Sequence, residues 1–403
     1  MSETAVLDEF HDIRPYNDDE VPGVIARLMN DRELLDTLLS IRHPALFRYL
    51  AWAVRPLLRK KLHKRFDAVR TVNDLQMLIG EQMELMLKKS GTPVTSSGLD
   101  GLAKTKSHLF ISNHRDIAMD PAFVNLTLFK HGLDTVRIAI GDNLLSKPFA
   151  TDLMRLNRSF IVKRSVTGRR EKLTALTKLS RYIRNSIIND GVSIWIAQRE
   201  GRAKDGVDRT ETALLKMLGL GKEKGQSFQD AITELNIVPV AVSYMFDPCD
   251  LDKARELYQR RTTGTYKKLP HEDLVSLYKG IVGYKGAVHV AYGDVVTTTT
   301  DDEELARQID RQIIANYWLH PTNLVAWERL HGPDPRIATL KANFGHCDWR
   351  SVEQQLMGRV AGETEAVRQI FLECYANPVQ SRFDLEAGLI CPDTHSSAGG
   401  AVV

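Results

Sequence analysis

The most constraining feature of the chain is an alternation of short β-rich runs with helical stretches, which begins near residue 107. The β-rich runs are HLFIS, TVRIAIG, SFIVKR, VSIWIA, NIVPVAVSY and AVHVAYG, and helical patterns such as GRREKLTALTKLSRYIRNSIIND lie between most of them. Strands that alternate with helices form βαβ units, which bury a largely parallel sheet between layers of helices. We therefore predict an α/β domain over residues 96–300, with a mostly parallel or mixed sheet and helices on both faces.

Helical patterns flank this domain on both sides. Residues 1–95 have apolar positions at a spacing of three to four, and SGTP predicts the end of their last helix near residue 90. After the tract TTTT, the segment DDEELARQIDRQIIANYWL opens a second helical region, predicted over residues 301–390. The final residues, 391–403, are small and polar, a composition typical of a disordered tail.

Composition excludes several classes of protein. The four cysteines are widely spaced without a CxxC pair, which argues against a zinc site or a disulfide framework and favours a reducing cytoplasm. No run approaches the roughly 20 apolar residues of a membrane span. The acidic N-terminus lacks the apolar core of a signal peptide. We therefore expect a cytoplasmic protein.

Basic residues are concentrated in two segments, although the net charge is only +3. Residues 41–70 contain nine lysines and arginines against one aspartate, and a second basic cluster covers residues 155–172. Such clusters favour anionic partners, either phosphates or acidic lipids, and no nucleic-acid motif accompanies them. Residues 41–70 have two open interpretations: a peripheral contact with the inner face of an anionic membrane, or a packed helix pair with an exposed basic face.

The motif SNHRDIAMDP follows the run HLFIS and places His114 at the end of a predicted strand. Ligands of α/β sheets bind beyond the carboxyl ends of the strands, and a nearby carboxylate can orient a histidine as a general base. Asp116 and Asp120 are both candidate partners. We favour Asp120, because Asp120-Pro121 has the residue types of a helix N-cap and first helical position.

Three later motifs also involve predicted strands. FIVKR ends in Lys163 and Arg164, and cations at a strand end beside a helix start suit a phosphate or a carboxylate. IWIAQREGRA runs from an apolar strand into Glu200 and Gly201, where glycine allows close approach of the backbone. NIVPVAVSY contains Pro239, which cannot donate to a sheet ladder and therefore indicates an edge, a bulge or a functional interruption.

Taken in order, the four motifs resemble the four blocks of the glycerolipid acyltransferases, which include glycerol-3-phosphate and 1-acylglycerol-3-phosphate acyltransferases. Those blocks are NH-x4-D, a hydrophobic strand ending in arginine, an E-G-x-R turn and a strand containing proline. SNHRDIAMDP is particularly similar to the first block of the soluble plastid-type glycerol-3-phosphate acyltransferases, in which proline also follows the aspartate. The resemblance covers residues 105–245, about a third of the chain, and implies a glycerol-3-phosphate acyltransferase-like fold.

The chain departs from the family pattern in three places. Met119 stands where NH-x4-D has its aspartate, so that Asp120 comes one residue late. Arg202 follows Gly201 directly, without the usual intervening residue, and Arg158 replaces the glycine that usually leads the second block.

The resemblance implies acyl transfer from acyl-CoA or acyl-carrier protein to the hydroxyl of glycerol 3-phosphate or a lysophospholipid. No metal and no cofactor beyond the acyl carrier would be needed. His114 would be the general base and Asp120 its orienting partner. The residues implied in binding the phosphorylated acceptor are Arg158, Lys163, Arg164, Glu200, Gly201 and Arg202.

Two alternatives to this function stay open at the level of sequence. A metal-dependent hydrolase would use His114, Asp116 and Asp120 as ligands, together with further ligands at other strand ends. A lipid-binding protein that has kept the fold but lost the activity would account for the shifted spacings.

Overall fold

The computed structural model describes residues 8–42, 44–145, 147–269, 272–297 and 301–390. It divides the chain into two compact units. Unit 1 comprises Met1–Met86 and Arg137–Tyr182, and unit 2 comprises Leu87–Val136 and Ile183–Val403. The tail predicted over residues 391–403 lies outside the described residues.

The strands are short and the helices numerous. The strands are β1 (Val94–Ser97), β2 (Leu109–Ser112), β3 (Arg137–Gly141), β4 (Ser159–Val162), β5 (Ile194–Ala197), β6 (Ile237–Tyr244) and β7 (Val288–Tyr292). The first eight helices are α1 (Val21–Asn30), α2 (Arg32–Arg42), α3 (Pro44–Phe66), α4 (Val72–Ser90), α5 (Met119–Lys130), α6 (Pro148–Leu156), α7 (Arg169–Ile188) and α8 (Thr212–Leu218). The others are α9 (Phe228–Thr233), α10 (Asp250–Thr263), α11 (Glu272–Val282), α12 (Asp302–Asn316), α13 (Pro321–His331), α14 (Pro335–Ala342), α15 (Trp349–Gly358) and α16 (Glu365–Glu386).

Unit 2 is built on a mixed sheet whose strands follow the order β1-β7-β6-β2-β5. β2 lies between β5 and β6 and is parallel to both, and β1 is parallel to β7. β6 and β7 are antiparallel. Every residue of β2 and β6 is buried, as the apolar runs of a covered sheet require. The α/β fold with a mixed sheet is therefore confirmed, and so is the helical region that follows it.

Pro239 lies in β6, a central strand of this sheet, so it does not mark an edge. The Pro239 carbonyl accepts a hydrogen bond from Gly293 N, and the antiparallel pairing with β7 begins only at the next residue, where Val240 faces Tyr292. The N–H and C=O of one residue point to the same side of a strand. The missing N–H of Pro239 therefore faces Gly293, one residue beyond β7, so the proline forgoes a bond only where this pairing ends.

Unit 1 combines the N-terminal helices with β3 and β4, which pair in parallel. Its core contains apolar side chains from α1, α4 and α6, among them Val21, Leu28, Leu75 and Leu156. α3 continues through Pro56, and α2 packs against it with Arg55 2.6 Å from Asp36. Over the described residues, none of the helices is both long and apolar enough to cross a membrane.

Arg158, just before β4, adopts a left-handed backbone conformation with φ of 57°. This is the position at which the resembled family has glycine, the residue that accepts positive φ without a Cβ clash. Asn236 is the other non-glycine residue with positive φ in the described part of the chain, at 45°. Asparagine tolerates this region better than arginine does, and the Asn236 amide also donates to Ser107 O over 3.2 Å.

We predict that Arg158→Gly raises the free energy of unfolding by up to about 1 kcal/mol, because it removes the left-handed strain. Asn236→Gly is the comparison at the other left-handed position and should gain less, because asparagine tolerates this conformation better than arginine and its amide bond to Ser107 is lost. Urea denaturation followed by circular dichroism measures both. A loss of stability in Arg158→Gly would contradict the assignment of strain to this backbone position.

Candidate active site

His114 lies directly beyond the carboxyl end of β2, and its ring contacts Asp120. Nδ1 of the ring is 2.9 Å from Asp120 Oδ2. The His114 side chain keeps 14% of its surface exposed, whereas that of Asp120 is fully buried. Trp195 of β5 packs edge-on against the imidazole, with ring centroids 5.8 Å apart. The histidine is therefore fixed by a carboxylate and an indole while part of its ring stays accessible.

The carboxylate of Asp120 accepts hydrogen bonds from four donors. Oδ2 accepts from the His114 ring and from the backbone N–H groups of Arg115, at 2.6 Å, and Asp116, at 2.9 Å. Oδ1 accepts from the Tyr244 hydroxyl at 2.6 Å. Burial and the nearby carboxylate charge hold the pKa of Tyr244 well above its usual value, so the phenol stays a donor. These bonds replace the water that the buried carboxylate has lost.

Asp116 does not contact the ring but bonds the backbone at the start of the next helix. Its Oδ1 accepts from Ala118 N at 3.0 Å and from Met119 N at 2.8 Å. α5 begins at Met119, so the predicted start with Asp120 as N-cap and Pro121 as first helical residue is wrong. The physical reason is that both oxygens of Asp120 accept hydrogen bonds within the site. The free N–H groups at the start of α5 are therefore bonded by Asp116 instead. Burial, and then the charge of Asp120, raises the pKa of Asp116.

Asn113 ties the residue before the histidine to β6. Its Oδ1 accepts from Val242 N at 2.7 Å and its Nδ2 donates to Val242 O at 3.1 Å. The side-chain amide thus pairs with a strand in the way that a backbone amide would. This contact fixes the chain at the point where β2 ends and the site begins.

Arg115 is buried and forms a two-bond ion pair with Asp208. Its Nη1 and Nη2 lie 2.7 and 2.6 Å from the two carboxylate oxygens of Asp208. The guanidinium also lies over the ring of Tyr317, 5.4 Å from its centroid. The carbonyl of Arg115 accepts from Lys253 Nζ at 2.7 Å. Every part of Arg115 is therefore anchored, and its N–H is held toward Asp120.

The loop after β5 joins the site through its backbone. Ala203 N donates to His114 O at 2.8 Å. Gly201 has φ of 75°, a conformation that favours glycine. Glu200 and Gly201 are exposed and Arg202 is partly buried. Among the residues that the structure describes, Arg202 has no hydrogen-bond or ion-pair partner. The structure therefore places this predicted loop beside the histidine.

Helices of the C-terminal region hold the same loop from the other side. Asp310 of α12 accepts from Thr210 N at 2.8 Å and from Thr210 Oγ1 at 2.6 Å. Asn377 of α16 donates to Asp205 O at 2.7 Å. A Cβ at Gly206 would lie 2.1 Å from the carbonyl oxygen of Cys374, so the loop passes directly against α16. None of the four sequence motifs lies in these helices.

The predicted cations Arg158, Lys163 and Arg164 belong to unit 1. Lys163 Nζ is 2.5 Å from Asp12 Oδ2. The backbone N–H of Arg164 donates to Asp142 Oδ1 at 3.1 Å, which shapes the turn after β4. Their part in binding an acceptor stays a prediction.

Within the described ranges, no group of three or more histidine, cysteine, aspartate or glutamate side chains is arranged to hold a metal ion. In the trio considered for a metal-dependent hydrolase, Asp120 uses both oxygens as acceptors for N–H and O–H groups. The donor set therefore does not favour that alternative.

Comparison with protein families gives the class of the central domain. Residues 93–243 match the family model described as Acyltransferase. This range contains His114, Asp120 and the loop with Glu200, and it nearly coincides with the segment over which the motifs resemble the family. The acyltransferase resemblance is confirmed, and the protein carries an acyltransferase domain.

Among solved structures, the chain is similar to the 1-acyl-sn-glycerophosphate (LPA) acyltransferase PlsC from Thermotoga maritima. The similarity has a TM-score of 0.33 and 16% sequence identity, and it covers 71% of this chain and 94% of that chain. No curated protein sequence matches the chain.

We predict that Asp208→Ala lowers the free energy of unfolding by about 3–5 kcal/mol, because it leaves the Arg115 guanidinium buried without its partner. The double variant Arg115→Met/Asp208→Leu should recover most of this loss. Glu353→Ala, which breaks the exposed pair with Arg329, is the control and should change stability by less than about 1 kcal/mol. Additive losses in the double variant would contradict the pairing.

Asp310 predicts a pH dependence of stability. Burial raises the pKa of Asp310 to about 7, well above the value of an exposed aspartate. Between about pH 4 and pH 7 the folded state keeps a proton that the unfolded chain has lost, so its stability contribution falls as pH rises. Asp310→Asn has no such proton. The free energy of unfolding of the variant, relative to that of the wild type, should therefore rise by roughly 1–3 kcal/mol between pH 4 and pH 8. Urea titrations across this range measure the difference, and a pH-independent difference would refute it.

Proposed function

We propose that the protein transfers a fatty acyl group from acyl-CoA or acyl-carrier protein to the hydroxyl of glycerol 3-phosphate or a lysophospholipid. His114 is the general base of the reaction and Asp120 is the carboxylate that orients it. The observation that carries this proposal is the 2.9 Å contact between His114 Nδ1 and the buried Asp120 carboxylate, inside the matched acyltransferase domain.

The contact determines which ring nitrogen takes the proton. A carboxylate only accepts hydrogen bonds, so Nδ1 carries the hydrogen and Nε2 keeps its lone pair. Nε2 removes the proton of the acceptor hydroxyl while the hydroxyl oxygen attacks the thioester carbonyl carbon. The tetrahedral intermediate then collapses, the C–S bond breaks, and the thiolate takes the proton from the imidazolium. The products are an ester and a free thiol, and no covalent acyl-enzyme is needed.

Cations of the predicted motifs support binding of a phosphorylated acceptor. Arg202 is a partly buried cation of the loop that touches the His114 backbone, and it has no hydrogen-bond or ion-pair partner in the described part of the chain. Glu200 and Gly201 complete that loop, and we assign Arg158, Lys163 and Arg164 to the same task on the strength of the family resemblance. Arginine suits this role because its planar fork binds two phosphate oxygens at once.

The protein is proposed to work in the cytoplasm, peripherally on the inner face of the membrane, without a cofactor beyond the acyl carrier. A fatty acyl product is membrane-bound, so a site near the bilayer shortens the path of the substrate. The helix α3 within residues 41–70 offers one basic surface for this contact, with Trp52 and Leu57 exposed by 74% and 68%.

The test is an acceptor panel with acyl-CoA, in which free thiol is measured. We expect release that depends on a phosphorylated glycerol acceptor. His114→Ala should lose at least about a thousandfold in rate, and Asp120→Asn should lose up to about 10⁴-fold, because the ring loses its orienting carboxylate. Asp116→Asn should lose less than about tenfold, since the asparagine Oδ1 can accept the same two backbone hydrogen bonds.

His131→Ala is the matched control, because this exposed histidine ends α5 away from the carboxylate. Equal thiol release by His114→Ala and the wild type would refute the proposed base. Stoichiometric metal in active enzyme, lost together with activity on chelation, would favour the hydrolase alternative. Acceptor binding without any thiol release would favour a lipid-binding protein.

A further inference from the structure

Tyr244 reaches the candidate active site because β6 is longer than β2. The pairing of the two strands ends with Ser112 opposite Val240, and β6 continues for four more residues, to Tyr244. At about 3.3 Å per residue, this extension carries the chain roughly 13 Å beyond the end of β2. The Tyr244 hydroxyl lies there at the level of the loop after β2 and donates to Asp120 Oδ1 at 2.6 Å.

Three elements fix the phenol ring in this position. The Tyr244 backbone pairs with Val288 of β7, and Phe123 of α5 packs edge-on against the ring, with centroids 5.8 Å apart. The side chain is buried. Among the residues that the structure describes, Tyr244 is the hydrogen-bond donor that reaches Asp120 Oδ1. The hydroxyl is therefore held against one chosen oxygen of the carboxylate.

The two oxygens of Asp120 thus have separate donors. Oδ2 accepts from the His114 ring and from the loop backbone, whereas Oδ1 accepts from Tyr244. A hydrogen bond donated to a carboxylate stabilises its charged form and so lowers its affinity for a proton. Because His114 and Asp120 share a hydrogen bond, they take up protons as a coupled pair. The donor on Oδ1 therefore influences the histidine as well.

The other charged groups around this network do not depend on the hydroxyl. They are Asp116, Arg202, Asp247, Lys253, Lys285 and the Arg115–Asp208 ion pair. Both signs of charge are present, and Lys253 is paired with Asp247. Tyr244→Phe keeps all of these groups. A change in proton affinity in that variant would therefore come from the lost hydrogen bond.

We propose that Tyr244 is a positioning residue that sets the pH range over which His114 acts as a base. Its hydroxyl holds Oδ1, which keeps Oδ2 directed at the His114 ring, and it limits the proton affinity of the pair. Without the hydroxyl, Nε2 of His114 keeps a proton up to a higher pH. The inference rests on the proposed function for the role of His114 as base, and Tyr244 acts through Asp120 rather than on the substrate.

The experiment is an NMR titration of the His114 ring in the full chain, with the signal assigned by its loss in His114→Ala. In Tyr244→Phe we expect the midpoint to rise by roughly one pH unit, the effect of losing one hydrogen bond to a charged group. Replacement of Tyr244 by 3-fluorotyrosine makes the phenol a stronger donor and should lower the midpoint. The acid limb of the pH–rate profile for thiol release should move in the same direction as the midpoint in each protein.

The matched control is Tyr292→Phe. Tyr292 lies in the neighbouring strand β7 and is also buried, and its hydroxyl is 2.8 Å from Thr127 Oγ1. This variant loses a buried tyrosine hydroxyl of the same domain without changing the donors of Asp120. It should therefore lower the stability to urea but leave the His114 midpoint where it is in the wild type.

Equal midpoints in Tyr244→Phe and Tyr292→Phe would overturn the inference, because a tyrosine with a purely structural role gives that result. A 3-fluorotyrosine shift toward higher pH would overturn it too, and this protein decides alone if Tyr244→Phe does not fold. The titration uses no substrate, so the two proposals are tested separately. The expected shift without any thiol release contradicts the proposed function only, and thiol release without the shift contradicts the role of Tyr244 only.

Discussion

The buried carboxylate of Asp120 is the constraint on which the site depends. A charge removed from water is tolerated in a protein interior only where hydrogen bonds replace its hydration. Asp120 obtains them from the His114 ring, from two consecutive backbone N–H groups and from Tyr244 of β6. The loop between β2 and α5 must bend so that both N–H groups point at one oxygen. The position of the histidine follows from satisfying that carboxylate.

A second layer of buried charge holds this loop in place. Arg115 gives its backbone N–H to Asp120, and its guanidinium is paired with Asp208. Lys253 binds the carbonyl of Arg115 and is itself paired with Asp247. Because breaking one member of a buried pair leaves the other uncompensated, these contacts make loop geometry inseparable from stability. The C-terminal helices take part in this layer, so they belong to the site although no motif marks them.

Sequence patterns indicated the candidate site better than the contacts that support it. Period and composition predicted the mixed α/β sheet, because a buried strand must be apolar whatever its neighbours are. His114 and Asp120 were within reach of prediction, since they lie in one short segment. Tyr244, by contrast, is 124 residues from Asp120, and only the pairing of β2 with β6 brings them together. The helix start at Met119 was missed because Asp120, which has the residue type of an N-cap, uses both carboxylate oxygens in hydrogen bonds of the site instead.

The extra residue in the first motif has a consequence for how such proteins are found. His114 and Asp120 are hydrogen-bonded although five residues separate them, because Asp116 forms the turn that absorbs the added length. A search pattern with a fixed interval between histidine and aspartate would discard this chain. A pattern that allows a turn of variable length between the histidine and the aspartate, whose carboxylate also accepts from the backbone N–H groups of that turn, would retain it. The number of residues between the histidine and the aspartate thus follows from the turn that joins them. Chains with longer or shorter turns can form the same hydrogen-bonded arrangement.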